Sequence, residues 1–428
     1  METAVIENPK DFELKLQNNP VEINYWVNSR SLLASDELAK IYRNVDINKE
    51  KNMRPSEVLE HCVSTKKHIP IPNEIRDFYS HIGRPTPFHR AIRLEKFLNT
   101  KNRIFLKRED LLINGSFKIN VIGPQVFYGV KDGFNNAVVE TSAGHVGVAT
   151  AFAANYFGIK STVFVTNKSY LNKPYRRYLM EMYGANVYAS PSQYTKIGRQ
   201  MDDGEISGNI AKASSEVIEI VSNDEKSFKI SGSLSDQTLT YNSVVGQETK
   251  FQYKQLTGKR HPDQILGCVG GGASFGGMVV PFLEDDNHQF DITAVEPSVV
   301  PTLSKGNYSY EYKDANKKTA SILMYTLGHQ FKIPISYGAG LTYHAASPII
   351  SYFVNQKRIK PVGISDIDAI SSAGILAKTE GIIVAPESAF TIARLIQEVQ
   401  KNNTKRDVIV CITGSGLLDL PVLTGNQN

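Results

Sequence analysis

The stretch Asn114-Gly115-Ser116-Phe117-Lys118-Ile119-Asn120 decides how the rest of the chain is interpreted. It follows a strand-like run at residues 104–107, crosses a turn, and leads into an apolar-periodic segment that predicts a helix. Lys118 therefore sits near a loop-to-helix junction, where a lysine can project into a cleft between domains. Partial desolvation there lowers the pKa of the amine and makes it nucleophilic enough for Schiff-base chemistry. Because most lysines are solvated surface charges, the role of Lys118 depends on the motifs downstream.

Length and charge limit the classes of protein to which this chain can belong. With 428 residues and 41% apolar content, the chain is long enough for two domains, each with its own core. The net charge of +5 is spread over 48 basic and 43 acidic residues, so it predicts neither a nucleic acid nor a membrane surface as partner. No run approaches the roughly 18 apolar residues that a membrane span needs. The partners we expect are small molecules.

The cysteines and the first residues predict a cytoplasmic protein. Cys62, Cys268 and Cys411 are widely spaced, and two of them lie in strand-like apolar runs where a buried, reduced thiol is the usual state. The first residues, METAVIENPKDFELK, carry acidic groups and no apolar core region of a signal peptide.

Short β-branched runs alternate with segments of helical length, and the runs are at residues 137–141, 161–165, 186–189, 264–269, 291–295 and 407–412. This alternation predicts an α/β fold with mostly parallel sheet, helices on both faces, and ligands at the C-terminal ends of the strands. We divide the chain into an N-terminal extension (1–80), a smaller α/β domain with the lysine (81–230) and a larger α/β domain (231–428). The boundary near 230 rests only on sharing the strands between two sheets.

Two motifs have the properties of anion sites. Thr141-Ser142-Ala143-Gly144-His145-Val146-Gly147 follows a strand and opens a small-residue helix, whose first N–H groups suit a substrate carboxylate. An ordinary tight turn explains this motif as well. Gly270-Gly271-Gly272-Ala273-Ser274-Phe275-Gly276-Gly277 follows an apolar strand, and its consecutive glycines permit a concave nest of N–H groups around a phosphate. It fits neither the dinucleotide fingerprint nor the nucleotide phosphate loop. A nucleophilic lysine, a phosphate nest and a carboxylate turn are together what a pyridoxal phosphate enzyme acting on an amino acid needs.

The chain from about residue 82 resembles the β chain of tryptophan synthase, and specifically its second, divergent type. Matching pieces run in family order over more than three quarters of the chain, and they are GRPTPFHRAIRLEK, IFLKRED, GSFKIN, VVETSAGHVG, YRRYLMEMYGANVYASPS, VVGQE, CVGGGASFGG, AVEPSVVPTLSKGNYSYEY, MYTLGHQF, YGAGLTYHAASP, EGIIVAPESA and ITGSGLLDL. The resemblance implies the fold-type II pyridoxal phosphate architecture, with two open, mostly parallel sheets and flanking helices. It also implies a homodimer that does not require an α-type subunit.

The resemblance assigns roles to individual residues. Lys118 matches the Schiff-base lysine, and Glu140 matches the acid that assists the incoming nucleophile and the leaving hydroxyl. The cofactor-binding residues implied are Lys118, Asn120, Gly270, Gly271, Gly272, Ala273, Ser274, Glu387 and Thr413. The substrate-binding residues implied are Thr141, Ser142, Ala143, Gly144, His145 and Thr342. No metal is expected. A neutral hydroxyl at Thr413 cannot hold the pyridine nitrogen protonated, which favours loss of a β-substituent over transamination.

Several positions depart from the family pattern. Phe117 replaces a histidine, His145 puts an ionisable ring where a glutamine is usual, and Ala273-Ser274 stand for serine and asparagine. Thr342 stands where the main type has an aspartate and the second type an arginine, and it supplies no charge. These departures leave open the identity of the amino acid and of the nucleophile, and whether the enzyme makes tryptophan for the cell or serves specialised metabolism.

Three functions remain in competition. The leading one is β-replacement on serine or a related amino acid, in which Glu140 guides indole or a similar carbon nucleophile onto Cβ and gives tryptophan or an analogue. The second is β-elimination and deamination by water, toward which Ser116-Phe117-Lys118 and Ser142-Ala143-Gly144 both lean. The third is an inactive regulatory paralogue, which the presence of both Lys118 and Glu140 disfavours.

Overall fold

The computed structural model describes residues 21–204, 206, 210–285, 290–314 and 317–425. The first 20 residues of the predicted N-terminal extension, including the acidic first residues, lie outside these ranges. Within the described part, no helix is both long enough and apolar enough to cross a membrane.

The strands are short, as the β-branched runs predict. In chain order they are β1 (Tyr25–Val27), β2 (His68–Pro70), β3 (Phe88–Arg90), β4 (Arg103–Arg108), β5 (Asn136–Thr141), β6 (Lys160–Thr166), β7 (Asn186–Ser190), β8 (Ser227–Lys229), β9 (Gln264–Cys268), β10 (Asp291–Pro297), β11 (Asn307–Glu311), β12 (Ile322–Thr326), β13 (Lys360–Ile364) and β14 (Asp407–Ile412).

The helices occupy the segments between most of these strands. They are Ser35–Ile41, Ser56–Val63, Asn73–His81, Ile92–Phe97, Lys118–Lys131, His145–Tyr156, Asn167–Asn172, Pro174–Met182, Lys196–Met201, Ile210–Asn223, Asp236–Tyr241, Ser243–Thr257, Ala273–Leu283, Thr302–Lys305, Pro348–Asn355, Asp366–Glu380, Pro386–Lys401 and Leu420–Leu423.

Two parallel sheets form the body of the protein, which confirms the predicted α/β fold. One sheet has six strands in the order β13-β10-β9-β14-β4-β3, and the other has four in the order β7-β6-β5-β8. All pairings in these sheets are parallel except that of β3 with β4. Strands buried on both faces read as continuous apolar runs, which is why the sequence located the interior strands to within two residues.

The two sheets do not correspond to the chain segments before and after residue 230. β3 and β4, which precede that boundary, pair within the six-stranded sheet, where β4 lies beside β14 from the C-terminal end. The placement of β4 depends on pairing across some 300 residues, which local periodicity does not encode. The helix that Lys118 begins therefore connects the larger sheet to β5 of the smaller one.

The described part of the N-terminal segment, residues 21–80, packs into the body of the protein. Trp26 is fully buried, and its indole N–H donates to the Tyr79 hydroxyl at 3.1 Å. The Tyr79 hydroxyl in turn donates to the backbone carbonyl of Asn120 at 2.9 Å. This chain of contacts joins the segment to the helix that carries Lys118.

A buried network of charges lies beneath that helix. Arg84 donates to Glu109 at 2.8 Å and to Glu248 at 2.9 Å, and Lys107 donates to Glu248 at 2.6 Å. Asn120 donates to Glu109 at 2.7 Å and accepts from Arg84 at 2.8 Å. The network connects the loop before β3, strand β4, the helix of Lys118 and the helix Ser243–Thr257.

Glu248→Ala is expected to destabilise the fold by about 3–5 kcal/mol, because it leaves the buried ammonium of Lys107 without its carboxylate and leaves Arg84 with Glu109 alone. The free energy of unfolding in urea measures this change. Glu60→Ala is the control, because Glu60 is exposed and its pair with Lys66 is long at 3.8 Å, so that loss should stay below about 1 kcal/mol. Equal, small losses in both variants would contradict a structural role for the network.

Candidate active site

A pocket collects residues from the loops that follow the C-terminal ends of four parallel strands, β4, β5, β9 and β14. Its lining consists of Ser116, Phe117, Lys118, His145, Ser233, Cys268, Gly270, Gly271, Gly272, Ala273, Ser274, Gly340, Leu341, Ala385, Glu387, Thr413 and Gly414. The carboxyl ends of parallel strands are where α/β sheets bind ligands, and the predicted lysine and glycine motifs meet there.

Lys118 is the first residue of its helix, and its side chain points into the pocket. Nζ donates to the backbone carbonyl of Gly232 at 3.1 Å and lies 4.7 Å from the centre of the Phe117 ring. Burial lowers the pKa of Lys118 to about 8, against the opposing influence of Glu387 and Cys268. The neutral, nucleophilic form of the amine is therefore far more populated near neutral pH than it is for an unshifted lysine.

The glycine motif forms a cradle that admits no side chain. A Cβ on Gly270 would lie 2.7 Å from the backbone of Leu341, and one on Gly271 would lie 2.2 Å from the Ser233 hydroxyl. Gly272 has a φ of +111° and precedes the helix Ala273–Leu283. The buried hydroxyl of Ser347, beside Gly272, has no hydrogen-bond partner in the described part of the chain. Backbone N–H groups at a helix start, with hydroxyls beside them, fit a phosphate group.

Neutral hydroxyls line the floor of the pocket. The Thr413 N–H donates to the Ser388 hydroxyl at 2.9 Å, and the two hydroxyl oxygens lie 2.9 Å apart. The thiol of Cys268 is 3.8 Å from the Thr413 hydroxyl. On the wall, Glu387 accepts the N–H of Gly340 at 2.8 Å, while its other carboxylate oxygen is buried without a partner in the described residues. A ring nitrogen that faces Thr413 therefore meets a hydroxyl and no carboxylate.

The predicted carboxylate loop bends at Gly144, which has a φ of +96° and whose N–H donates to the Thr141 hydroxyl at 3.1 Å. Ser142 donates to the carbonyl of Ala339 at 2.8 Å, and Thr342 donates to the same carbonyl at 2.9 Å. The structure thus brings Ser142 and Thr342 together, although 200 residues separate them in the chain. The buried Ala143 and its loop lead into the helix His145–Tyr156.

His145 lines the pocket and is held by residues whose roles the sequence did not reveal. Its Nε2 lies 2.9 Å from Nη2 of Arg176, and the buried Asp419 pairs with Arg176 at 2.9 Å and with Lys173 at 3.1 Å. Burial, reinforced by Arg176, holds the pKa of His145 far below its usual range. The ring is therefore neutral, and because Nε2 accepts from Arg176, its hydrogen is on Nδ1. Arg176 and Asp419 lie within motifs that match the family, which was the available signal.

Asn120 and Glu140 do not line the lysine pocket. Two residues after Lys118, a helix has turned by roughly 200°, so Asn120 points away from the pocket into the buried network. Glu140 is near the end of β5, where one carboxylate oxygen is 3.8 Å from the Lys229 ammonium. The other oxygen is buried and has no hydrogen-bond partner among the described residues.

Comparison with known proteins agrees with this geometry. The family model described as "Pyridoxal-phosphate dependent enzyme" matches residues 79–414. The tryptophan synthase beta chain of Pyrococcus horikoshii is 40% identical over 387 residues, which cover 88% of this chain and 84% of the relative. Tryptophan synthase beta chain 2 of Pyrococcus furiosus is 38% identical over 384 residues, covering 88% and 85%. The tryptophan synthase beta chain of Pseudothermotoga lettingae is 39% identical over 373 residues, covering 86% and 88%.

Solved structures share the fold at low identity. A fungal L-serine ammonia-lyase from Rhizomucor miehei superposes with a TM-score of 0.59 at 19% identity and covers 79% of this chain and 96% of its own. A pyridoxal 5'-phosphate-dependent aspartate racemase superposes with a TM-score of 0.60 at 16% identity, covering 81% and 98%. These likenesses support the fold-type II architecture.

Lys118→Ala is expected to abolish covalent attachment of pyridoxal phosphate, because only a lysine amine can form that bond. Borohydride reduction followed by peptide mapping should label Lys118 in the unaltered protein and nothing in the variant. Lys131→Ala is the control at the exposed end of the same helix, and it should keep the label. A label on any other lysine would refute the assignment.

The rate of cofactor attachment should follow the titration of Lys118. The neutral amine is the reactive form, so the rate should rise with pH and level off above about 8, the lowered pKa of Lys118. An unshifted lysine would level off only near pH ~10.4. Absorbance recorded after mixing apoprotein with pyridoxal phosphate measures the rate, and free acetyl-lysine in the same buffers corrects for titration of the cofactor. A rate that keeps rising steeply past pH 9 would contradict the lowered pKa.

Proposed function

The chain belongs to the tryptophan synthase β chain family of pyridoxal-phosphate-dependent enzymes, and on that premise we propose that it catalyses β-replacement on L-serine or a related amino acid. The nucleophile is indole or an indole-like carbon nucleophile, and the product is tryptophan or an analogue. The chain is a pyridoxal-phosphate-dependent lyase. The observation that carries the finer proposal is a second carboxylate, Glu140, held near the carboxylate loop with one oxygen unpartnered among the described residues.

The residues present fit the cofactor. When bound, pyridoxal phosphate supplies a conjugated ring that accepts electron density from Cα of the amino acid. In this proposal Lys118 holds the cofactor and then takes the proton from Cα, which its lowered pKa favours. Residues 270–274 and Ser233 would hold the phosphate. The hydroxyl of Thr413 would meet the ring nitrogen without protonating it, which would favour loss of the β-substituent over transamination.

The amino acid is oriented by the loop at residues 141–145. Its backbone N–H groups at the helix start meet the substrate carboxylate. The neutral imidazole of His145 adds a donor at Nδ1, because Arg176 and Asp419 keep Nε2 occupied. The hydroxyls of Ser142 and Thr342, joined through the Ala339 carbonyl, close the side of the loop that lies toward Leu341.

Glu140 acts on the second substrate in this proposal. Its free oxygen accepts the proton that the nucleophile loses as it bonds to Cβ, and Lys229 stabilises the other oxygen. Proton transfer of this kind typically contributes about 10²–10⁴-fold to a rate.

The assembly and compartment are also proposals. We expect a cytoplasmic homodimer that works without an α-type subunit, and the buried packing of Trp26 and its neighbours supports a segment that is integral to the body of the protein. The division into domains at residues 81–230 and 231–428 remains a prediction as well. Strands β3 and β4 of the first range belong to the six-stranded sheet, whose other strands come from the second range.

β-Elimination with deamination is the second candidate. Phe117 stands where the family usually has a histidine, and its ring contacts Lys118. The surroundings of the lysine therefore resemble those of the wider fold-type II enzymes, which favours this candidate. Under this alternative, water completes the reaction by deamination, and Glu140 is not required for it.

Glu140→Ala is expected to lower formation of the carbon–carbon product by about 10²–10⁴-fold while pyridoxal phosphate stays bound. Lys118 still performs the proton transfers at Cα, so release of pyruvate from serine alone should fall far less. The measurement sets product analysis with serine and indole beside a pyruvate assay on the same variant.

Glu181→Ala provides the matched control, because Glu181 is an exposed glutamate of the same half of the chain with a long pair to Arg177 at 3.6 Å. It should leave both reactions unchanged. A Glu140→Ala variant that loses thermal stability but not turnover would show that Glu140 only ends its strand. A variant that couples indole at the full rate would remove the argument for β-replacement.

A further inference from the structure

Glu140 shares its surroundings with lysine and arginine side chains. Val138 of β5 pairs in register with Lys229 of β8, so Glu140 and Lys229 project from the same face of neighbouring strands. The Lys229 ammonium lies 3.8 Å from the Glu140 carboxylate and donates to the Ser214 hydroxyl at 3.0 Å.

A second cation near Glu140, Arg54, comes from the N-terminal segment. The N–H of Lys229 donates to the carbonyl of Met53 at 2.7 Å, which fixes the neighbouring Arg54 beside β8. Arg54 is buried and pairs with Glu50 at 2.9 Å. Its pKa is raised by the charges of Glu50 and Glu140 among others, although burial opposes the shift.

Lys313 is the third cation. Its ammonium donates to the Ser235 hydroxyl at 3.5 Å, and in the described part of the chain no carboxylate lies within 4.0 Å of it. Burial lowers its pKa, with Glu50 and Asp236 opposing the change. Those two carboxylates already pair with arginines, Glu50 with Arg54 and Asp236 with Arg30 at 3.0 Å.

The backbone ties Lys313 to the predicted substrate loop. The hydroxyl of Tyr343 donates to the carbonyl of Lys313 at 2.7 Å, and Tyr343 follows Thr342 directly. The Tyr343 hydroxyl also feels the charge of Glu140, which adds to burial in raising its pKa. The backbone of Lys313 and the carboxylate of Glu140 therefore both lie near the Tyr343 hydroxyl.

We infer that the second substrate is an anion: an aromatic nucleophile that carries a carboxylate or a similar acidic group. Lys313, with Arg54 beside it, meets the acidic group, and the free oxygen of Glu140 accepts the hydrogen of the reacting part. The inference rests on the proposed β-replacement and names the class of its nucleophile. A partly buried ammonium without a carboxylate is costly, and a bound anion offsets that cost. Neutral indole can donate a hydrogen to Glu140, but it supplies no carboxylate to Lys313.

The experiment compares binding of neutral and anionic nucleophiles to the cofactor-loaded protein. Calorimetry measures the dissociation constants of indole and of indoles that carry a carboxylate on the benzene ring. At least one carboxylate should bind about ten-fold or more tightly than indole, a difference in keeping with one partly buried ion pair. Lys313→Gln replaces the ammonium with a shorter, neutral amide, and it should remove that preference.

Lys360→Gln is the matched control, because Lys360 is a surface lysine of β13 whose side chain is 70% exposed. It should leave the preference intact. If Lys313→Gln fails to fold, Lys313→Arg, which keeps the charge, should retain the preference, and in the unaltered protein added salt should weaken it. Equal binding of indole and all the carboxylates, or a preference that Lys313→Gln does not change, overturns the inference.

Coupling with serine is measured on the same samples by product analysis. A clear preference in binding without a carbon–carbon product from any nucleophile would refute the proposed β-replacement while the anion site stands. Coupling of neutral indole together with equal binding would support β-replacement and refute the anionic substrate.

Discussion

The buried pairing of Arg84 with Glu109 and Glu248 is the constraint on which the site depends. Glu109 follows β4, Glu248 lies on the helix Ser243–Thr257, and Asn120 joins them from the first turn of the helix of Lys118. A charge in a dry interior is tolerated only with its partners in place, so these elements have little freedom to move apart. The rigidity delivers Lys118 to the carboxyl end of β4 at a defined position, where burial lowers its pKa to about 8.

Most of the fold follows from local pattern. The runs at 137–141 and 407–412 form β5 and β14 because buried parallel strands must be apolar throughout, and that property is visible in a few consecutive residues. The membership of β4 in the larger sheet and the antiparallel pair β11–β12 were not predicted. Both depend on which distant segment becomes the neighbour, and periodicity carries no information about partners.

The residues of the candidate site likewise fall into those that the local sequence reveals and those that only the fold reveals. Lys118, Gly272 and Gly144 are recognisable because a special backbone conformation or an amine at a helix start has a local signature. Ser347, which faces the glycine cradle, and Asp419, which orients Arg176, have no such signature. Their importance arises only when the fold sets them against a group from another part of the chain.

The distribution of charge differs between the lysine pocket and the surroundings of Glu140. The floor of the lysine pocket is neutral, with the Thr413 hydroxyl bonded to that of Ser388 and a His145 whose burial keeps it uncharged, while the carboxylate of Glu387 lies on the wall. Around Glu140 they are charged, with Lys229 at 3.8 Å. A neutral floor suits loss of a β-substituent from many amino acids and does little to choose among nucleophiles. Under the proposed β-replacement, selection of the nucleophile would come from the Glu140 side, where Thr342 supplies no charge and the cations are Lys229, Arg54 and Lys313.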